Sequence, residues 1–552
     1  METYTDFVDL IAESLKNNWD FDALTDYQGV TLQYKDVARK IEKLHILFEN
    51  AGVEKGDKVA LCGRNSAHWA TAFLATLTYG AVAVPILHEF KAQQVHDIVN
   101  HSEAKILFVG DMVWPELDAE QMPHLEGIVN IPDYSLLVSR TEKLTEARER
   151  LNEFFGRKYP KFFRKEHVNY PHTPNPDALA LINYTSGTTS NSKGVMIPFR
   201  ALWSNYQFAI EVLGHKVKRG NPVISMLPLA HMYGMAFEFI FEFLHGCHVY
   251  YLTRIPSPKI VLQAFGEIKP VVIISVPLII EKIIKKNVLP RLQTPSMKVL
   301  LKMPFISGRI LDKIRQHLVD AFGGQFYEII IGGAAFNSEV EDLLHKIHFP
   351  YTVGYGATEC APIISYEDWQ RFRKGSCGKA APRMEIKIDS QDPQHVVGEI
   401  LTRGENVMLG YFKNEEATAA TLKDGWYHTG DLGVMDDEGN LFIRGRSKNM
   451  LLGASGQNIY PEEIEDKLNT LPYVNESIVV QRGEKLVALI YPDFDLAQKD
   501  GLDENGLRMT MEQNRKDINT MVAAYERISA MEIHQTEFEK TPKRSIKRFL
   551  YK

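Results

Sequence analysis

Residues 184–195 read Y-T-S-G-T-T-S-N-S-K-G-V and follow the apolar run A-L-A-L-I-N-Y of residues 178–184. The run is short and comes after a Pro-Asn-Pro segment, so it reads as a buried strand. The turn behind it gathers the hydroxyls of Thr185, Ser186, Thr188 and Thr189 around Gly187. Glycine there admits positive φ and the close approach of a ligand. Hydroxyls and bare backbone N–H groups cradle phosphate oxygens, and Lys193 adds a point charge. The turn is therefore a candidate nucleotide-phosphate site. It is not the P-loop pattern G-x-x-x-x-G-K-[ST], because Ser192 precedes Lys193 and Gly194 follows it. The plainer reading, a Ser/Thr-rich surface turn, fits poorly with so dense a set of hydroxyls directly after a buried strand.

Outward from this turn the chain alternates. Phe7, Leu10, Ile11 and Leu15 fall at helical spacing, as do Val37, Ile41, Leu44 and Phe48. Residues 58–63, 81–86 and 105–110 read as buried strands, and 70–77 as a helix between them. Strands and helices in this order predict a parallel α/β sheet. After the turn, 202–212 predicts a helix and 328–331 a strand that ends in Gly332 and Gly333. In the last hundred residues, Pro461 opens a helix, 486–491 and 530–534 are strands, and a helix lies near 512–525. Residues 141–176 are basic and aromatic, with R-K-Y-P-K-F-F-R-K, and read as a surface excursion. Such a segment suits nucleic acid or a membrane surface, but a solvated face against the acidic remainder is the preferred reading.

A chain of 552 residues buries a large core and holds more than one domain. Its net charge of −7 gives no global attraction to nucleic acid or anionic membrane. Cys62, Cys247, Cys360 and Cys377 are far apart, which predicts a reducing, cytoplasmic setting without structural zinc. No signal peptide is evident at the N-terminus, and the apolar run 271–280 is too short to span a bilayer.

Chemistry-bearing residues recur downstream. M-L-P-L-A-H-M-Y-G (226–234) carries His231, which alone reads as a satisfied core histidine. The apolar run after it, with Glu238 and Glu242, reads either as core or as the wall of an acyl pocket. T-V-G-Y-G-A-T-E (352–359) offers a flat apolar face at Tyr355 and a hard oxygen ligand for Mg²⁺ at Glu359. Y-H-T-G-D (427–431) ends in Asp431, either an Asx-type turn or an acceptor for two hydroxyls.

In this order, T-S-G-T-T-x-x-x-K-G, G-Y-G-A-T-E, Y-H-T-G-D and R-G-R-S-K-N (444–449) resemble the adenylate-forming superfamily of acyl- and aryl-CoA ligases, amino-acid adenylation domains and luciferases. The usual signature has Gly at Ser190 and Pro at Ser192. The resemblance covers nearly the whole chain and is greatest to long-chain fatty acid–CoA ligases. It implies an α/β fold. A large N-terminal domain of parallel-sheet subdomains with a small β subdomain spans 1–447, and a smaller, mobile α+β domain spans 448–552. It implies ATP, Mg²⁺ and coenzyme A as partners, with a carboxylic acid, medium to long chain, as substrate. Thr185, Ser186, Gly187, Thr188, Thr189 and Lys193 would hold phosphates. Gly333, Ala334, Ala335, Tyr355, Gly356, Ala357 and Thr358 would hold adenine and phosphate. Asp431 and Arg446 would hold ribose, Thr188 and Glu359 the metal, and His231 would stand near the substrate carboxylate. Lys448 is the implied hinge, and Gly456 lines the implied pantetheine tunnel. Phe237-Glu238 stands where an amine-binding aspartate is usual in amino-acid enzymes, which disfavours an amino-acid substrate.

The tail departs from the pattern. The family's late P-K-T-x-x-G-K-I reads here as E-K-T-P-K-R-S-I, with Ser545 at the lysine that enters the site. On an extended segment Lys543 and Lys547 flank Ser545 on one face, and one of them is expected to substitute. Two other readings stand beside the CoA ligase. One is a ligase that loads an acyl carrier protein. The other is a nucleotide-binding paralogue with weak or lost turnover. Peripheral membrane contact is a further expectation for a fatty-acid enzyme.

Overall fold

The computed structural model of the chain describes residues 4–173, 175–185, 193–253, 257–292, 294–301, 303, 306–453, 457–483, 485–540 and 546–551. Its centre is an eight-stranded sheet. The strand order is Gly410–Tyr411, Gly194–Pro198, Leu179–Tyr184, Val82–Ile86, Lys58–Cys62, Ala104–Val109, Gly127–Asn130, Leu136–Ser139. The five strands from Leu179–Tyr184 to Gly127–Asn130 run parallel, and the flanking strands are antiparallel. The parallel strands are apolar almost throughout because helices cover both faces. The Ala67–Tyr79 helix, capped by Ser66, which accepts from the Trp69 N–H, is apolar on every side and buried along its length.

A second sheet, Pro222–Ser225, His248–Tyr251, Asp22–Asp26 and Thr31–Gln33, packs into the same core. A third, Ile273–Ser275, Ile329–Ile331 and Tyr351–Val353, is parallel and has a core of its own around Phe265, Phe322 and Leu344. Then comes an antiparallel sheet built on Met384–Asp389, Gly398–Gly404, Trp426–Met435 and Leu441–Arg446. Beyond it Val474–Arg482, Lys485–Pro492 and Ile528–Ile533 form a last sheet. It closes a separate core with the helices Pro461–Leu468 and Glu504–Met521. No helix among the described residues is long and apolar enough to cross a membrane.

Three sequence expectations need correction. Residues 141–176 are not wholly an excursion: Glu142–Glu149 and Leu151–Lys158 are helices that bury Leu144, Ala147, Leu151 and Phe155. Their apolar stripe is short, and the dense charge hid it. The late helix runs Glu504–Met521 rather than 512–525, because Asp503 caps it by accepting from the Gly506 N–H. The stretch 398–412 alternates like strands with turns and resembles the small β subdomain of the family, but its end Gly410–Tyr411 belongs to the main sheet, since it pairs with Val195 and Met196.

Candidate active site

The strand Leu179–Tyr184 delivers Thr185 to the open edge of the core, and Gly194–Pro198 carries the chain back antiparallel. Thr185 N–H donates to the Lys193 carbonyl at 3.1 Å, closing the base of the turn. Ser186, Gly187, Thr188 and Thr189 lie outside the described residues. Lys193 Nζ stands 4.6 Å from the centroid of the Tyr411 ring. That ring is in place because Phe412 N–H donates to the Gly194 carbonyl at 2.7 Å and Leu409 N–H to Met196 at 2.9 Å.

Tyr411 in turn donates its hydroxyl to Glu359 Oε1 at 2.9 Å. The Glu359 carbonyl accepts from Met408 N–H at 2.8 Å, so backbone and side chain both tie Glu359 to this wall. Ahead of it, Gly356 has no room for a side chain: a Cβ would collide with the Pro362 carbonyl oxygen. Thr358 is buried, Ala357 is half-buried and Gly356 is exposed.

On the same segment Tyr355 donates its hydroxyl to Asp431 Oδ2 at 2.6 Å, and Arg446 Nε meets Asp431 Oδ1 at 3.0 Å. The antiparallel pairing of Asp431 with Arg446 sets the second contact. Burial raises the Asp431 carboxyl above its ordinary range, while the Arg446 guanidinium and the Tyr355 hydroxyl pull it back. A carboxylate has more lone-pair sites than these two partners use, so it retains capacity for further hydroxyl donors.

Gly333 takes φ +89°, which turns the chain off the Ile329–Ile331 strand and leaves Gly333, Ala334 and Ala335 exposed with nothing larger than a methyl. Gly332 backs onto the Tyr233 ring, whose hydroxyl donates to the Ile330 carbonyl at 3.0 Å. His231 caps the helix that begins at Met232, its Nδ1 accepting from Tyr233 N–H at 3.3 Å. Asn183, on the strand that leads into the turn, donates to the Ala230 carbonyl at 2.8 Å. His231 is thus anchored between the turn and the Gly332–Gly333 corner. The apolar run after it is core: Phe239, Phe241 and Phe243 are fully buried. It passes through a π-helical turn, Ala236–Ile240, which carries Glu238. Burial pushes the Glu238 carboxyl well up, and its Oε2 accepts from Met226 N–H at 3.0 Å and Leu227 N–H at 2.8 Å.

Of the tail, residues 541–545 lie outside the described residues. Lys540 bridges antiparallel to Ile546, so these two residues lie side by side. Lys547 Nζ pairs with Glu539 at 2.7 Å, and Arg548 binds Glu465 on the Pro461–Leu468 helix. Lys543 and Gly456 lie outside the described residues. Lys448 is exposed, in the turn after Arg446. The Pro461–Leu468 helix reaches the large part of the chain through Asp466, which accepts from Ser338 N–H at 3.2 Å.

The donors fit Mg²⁺. Glu359 presents a carboxylate with one oxygen bound to Tyr411 and the other without a partner among the described residues. Magnesium is commonly held by one or two carboxylates together with substrate phosphates. Tyr411 is the site residue that sequence reasoning missed. Its place depends on pairing with Val195, more than two hundred residues earlier, and no local spacing signals that.

Comparison with known proteins identifies the family. The model described as AMP-binding enzyme matches residues 11–412, and the one described as AMP-binding enzyme C-terminal domain matches 448–551. The chain is 28% identical over 474 residues to an indoleacetate–CoA ligase of Aromatoleum aromaticum, covering 84% of this chain and 83% of that one. It is 27% identical over 479 residues to the long-chain-fatty-acid–CoA ligase FadD15 of Mycobacterium bovis, covering 82% and 76%. The solved anthranilate CoA ligase AuaEII, in complex with anthranoyl-AMP, superposes with TM-score 0.77 at 22% identity, covering 100% and 97%.

Proposed function

The chain belongs to the AMP-binding enzyme family, and from that premise we propose an AMP-forming acid–thiol ligase whose acid is a medium- or long-chain fatty acid. It uses ATP, Mg²⁺ and coenzyme A. One observation carries the reading. Lys193, Tyr411 and Glu359 form one linked set, and Tyr355, on the same segment as Glu359, extends it to Asp431 and Arg446. A nucleoside triphosphate needs that sequence of groups: base and ribose at one end, phosphates and metal at the other.

In this reading Asp431 accepts the ribose hydroxyls, and the bare Gly333–Ala335 backbone with Tyr355 receives adenine. Gly356, Ala357 and Thr358 border the phosphates. A substrate carboxylate oxygen attacks the α-phosphorus, and pyrophosphate leaves. Lys193 and the hydroxyl turn meet the negative charge that builds there. Glu359, with Thr188, holds the magnesium, which screens the phosphates. His231 orients the acid. The coenzyme A thiol then attacks the acyl carbon and AMP departs. One site serving two half-reactions calls for a rearrangement, which we assign to rotation of residues 448–552 about Lys448, with Gly456 beside the pantetheine arm. A tail lysine, Lys543 or Lys547, takes the place that Ser545 leaves empty of charge.

The fatty acid is supported by Phe237-Glu238 at the position of the usual amine-binding aspartate and by relatives named for long-chain acids. The test is pyrophosphate release across acids of graded chain length, with and without coenzyme A. Release that peaks with long alkyl acids and yields the CoA thioester supports the reading. Release with aryl acids alone would redirect it.

A further inference from the structure

Residues 157–165, R-K-Y-P-K-F-F-R-K, hold five basic side chains and no acidic one in a chain of net charge −7. The structure fixes how they are presented. Tyr159 packs on Phe155 at 5.2 Å, on Phe163 at 5.0 Å and on His167 at 4.9 Å, and Phe163 reaches Trp19 at 6.0 Å. The neighbouring Phe162 is 72% exposed. The aromatic cluster is thus packed, and Phe162 beside it in the chain is left to solvent.

Cations also lie against the cluster at Phe155. Arg39 and Lys43, on the helix Tyr34–Ala51, each lie 5.4 Å from the Phe155 ring. Burial, and to a lesser degree the like charges of Arg39, Lys40 and Arg148, holds the Lys43 ammonium below its ordinary range. Arg157 pairs with Glu153 and Lys158 with Glu42. Among the described residues no acidic side chain pairs with Lys161, Arg164 or Lys165, and Glu166 is the one acid beside them. Of the five cations in 157–165, Lys158 alone has an acidic partner outside the segment 141–176 among the described residues, Glu42; Arg157 is paired within its own helix.

We propose that the exposed Phe162, with the exposed cations Lys161, Arg164 and Lys165 beside it in the chain, docks the protein on an anionic lipid surface. An exposed aromatic ring enters the headgroup region, and lysines and arginines around it meet lipid phosphates. Single-stranded nucleic acid is the less suitable partner. It binds by stacking bases on open aromatic faces, and here Tyr159, Phe163 and His167 are packed against one another. No helix among the described residues spans a bilayer, so the contact is peripheral.

The full chain is sedimented with vesicles of phosphatidylcholine alone and of phosphatidylcholine with phosphatidylserine in equal parts. The protein is expected to partition onto the mixed vesicles and to leave them as salt rises. The combined K161A, R164A and K165A variant should lose roughly a hundredfold in partitioning. F162S should lose a smaller share with unchanged salt dependence, and it keeps the test open if the triple variant folds poorly. Melting temperature and pyrophosphate release should match the parent in both. Equal partitioning of parent and triple variant, or none by the parent, overturns the proposal. Tighter binding to a single-stranded oligonucleotide than to vesicles, lost in the triple variant, also overturns it and assigns the face to nucleic acid.

Discussion

Tyr355 donates its phenolic hydrogen to Asp431 Oδ2 at 2.6 Å, so the ring assigned to adenine and the carboxylate assigned to ribose are one bonded unit. Removing the hydroxyl alone, in Tyr355→Phe, leaves the ring and frees the carboxylate to turn. A hydrogen bond to a charged group is worth about 1.5–3 kcal/mol. The KM for ATP should rise about tenfold or more, with kcat less affected. Asp431→Ala should raise it further. Initial-rate pyrophosphate release against ATP concentration measures both, and an unchanged KM in Tyr355→Phe would count against the assigned ribose contact.

Lys193 and Glu359 meet through the Tyr411 ring. Lys193→Gln removes the charge assigned to the phosphates, and adenylation should slow about a hundredfold. Tyr411→Phe keeps the face beneath Lys193 but frees Glu359, so it should chiefly weaken the magnesium dependence. Titrating Mg²⁺ in both variants separates the two effects.

Lys547 is held by Glu539 in a solvent-screened surface pair, a weak contact. Release from it is cheap compared with the charge it would meet at the phosphates. Alanine at Lys543, at Lys547 and at both should locate the substitute for Ser545. At least one of the three should slow pyrophosphate release by tenfold or more, about 1.4 kcal/mol of barrier. Undiminished release in all three removes the tail from the reaction.

Glu328 is fully buried at the foot of the Ile329–Ile331 strand, accepting from the Tyr366 hydroxyl and from Trp369 N–H at 3.2 Å. Burial pushes its carboxyl from 4.5 up to about 8. The folded state therefore keeps it neutral where the unfolded state ionises it. Its stabilising contribution is whole below pH 4.5 and is lost as pH rises through about 8, at about 1.4 kcal/mol per pH unit. Urea unfolding of the parent should show that decline, and Glu328→Gln should flatten it.

Much of this architecture was legible in local pattern. The buried runs at 58–62, 82–86 and 179–184 became parallel strands, since a strand covered on both faces has to be apolar along its length. Tyr355, Glu359, Asp431 and Arg446 were named from short motifs, and the structure brings them together. What escaped was set by contacts distant in sequence. Tyr411 is placed by Val195, and Lys547 by Glu539, beside the bridge of Lys540 to Ile546. Glu238 gave no hint in sequence that its carboxylate would hold the N–H groups of Met226 and Leu227, just ahead of His231. The helices of 142–158 were hidden by their own charge.

The seam between Gly410–Tyr411 and Val195–Met196 also bears on biosynthesis. Residues 194–198 leave the ribosome some two hundred residues before their neighbour does. Through that interval they form the bare margin of a growing β-sheet, open to mispairing with other nascent chains. Truncations ending before residue 410 should aggregate during translation, whereas those ending just after 412 should have that margin covered.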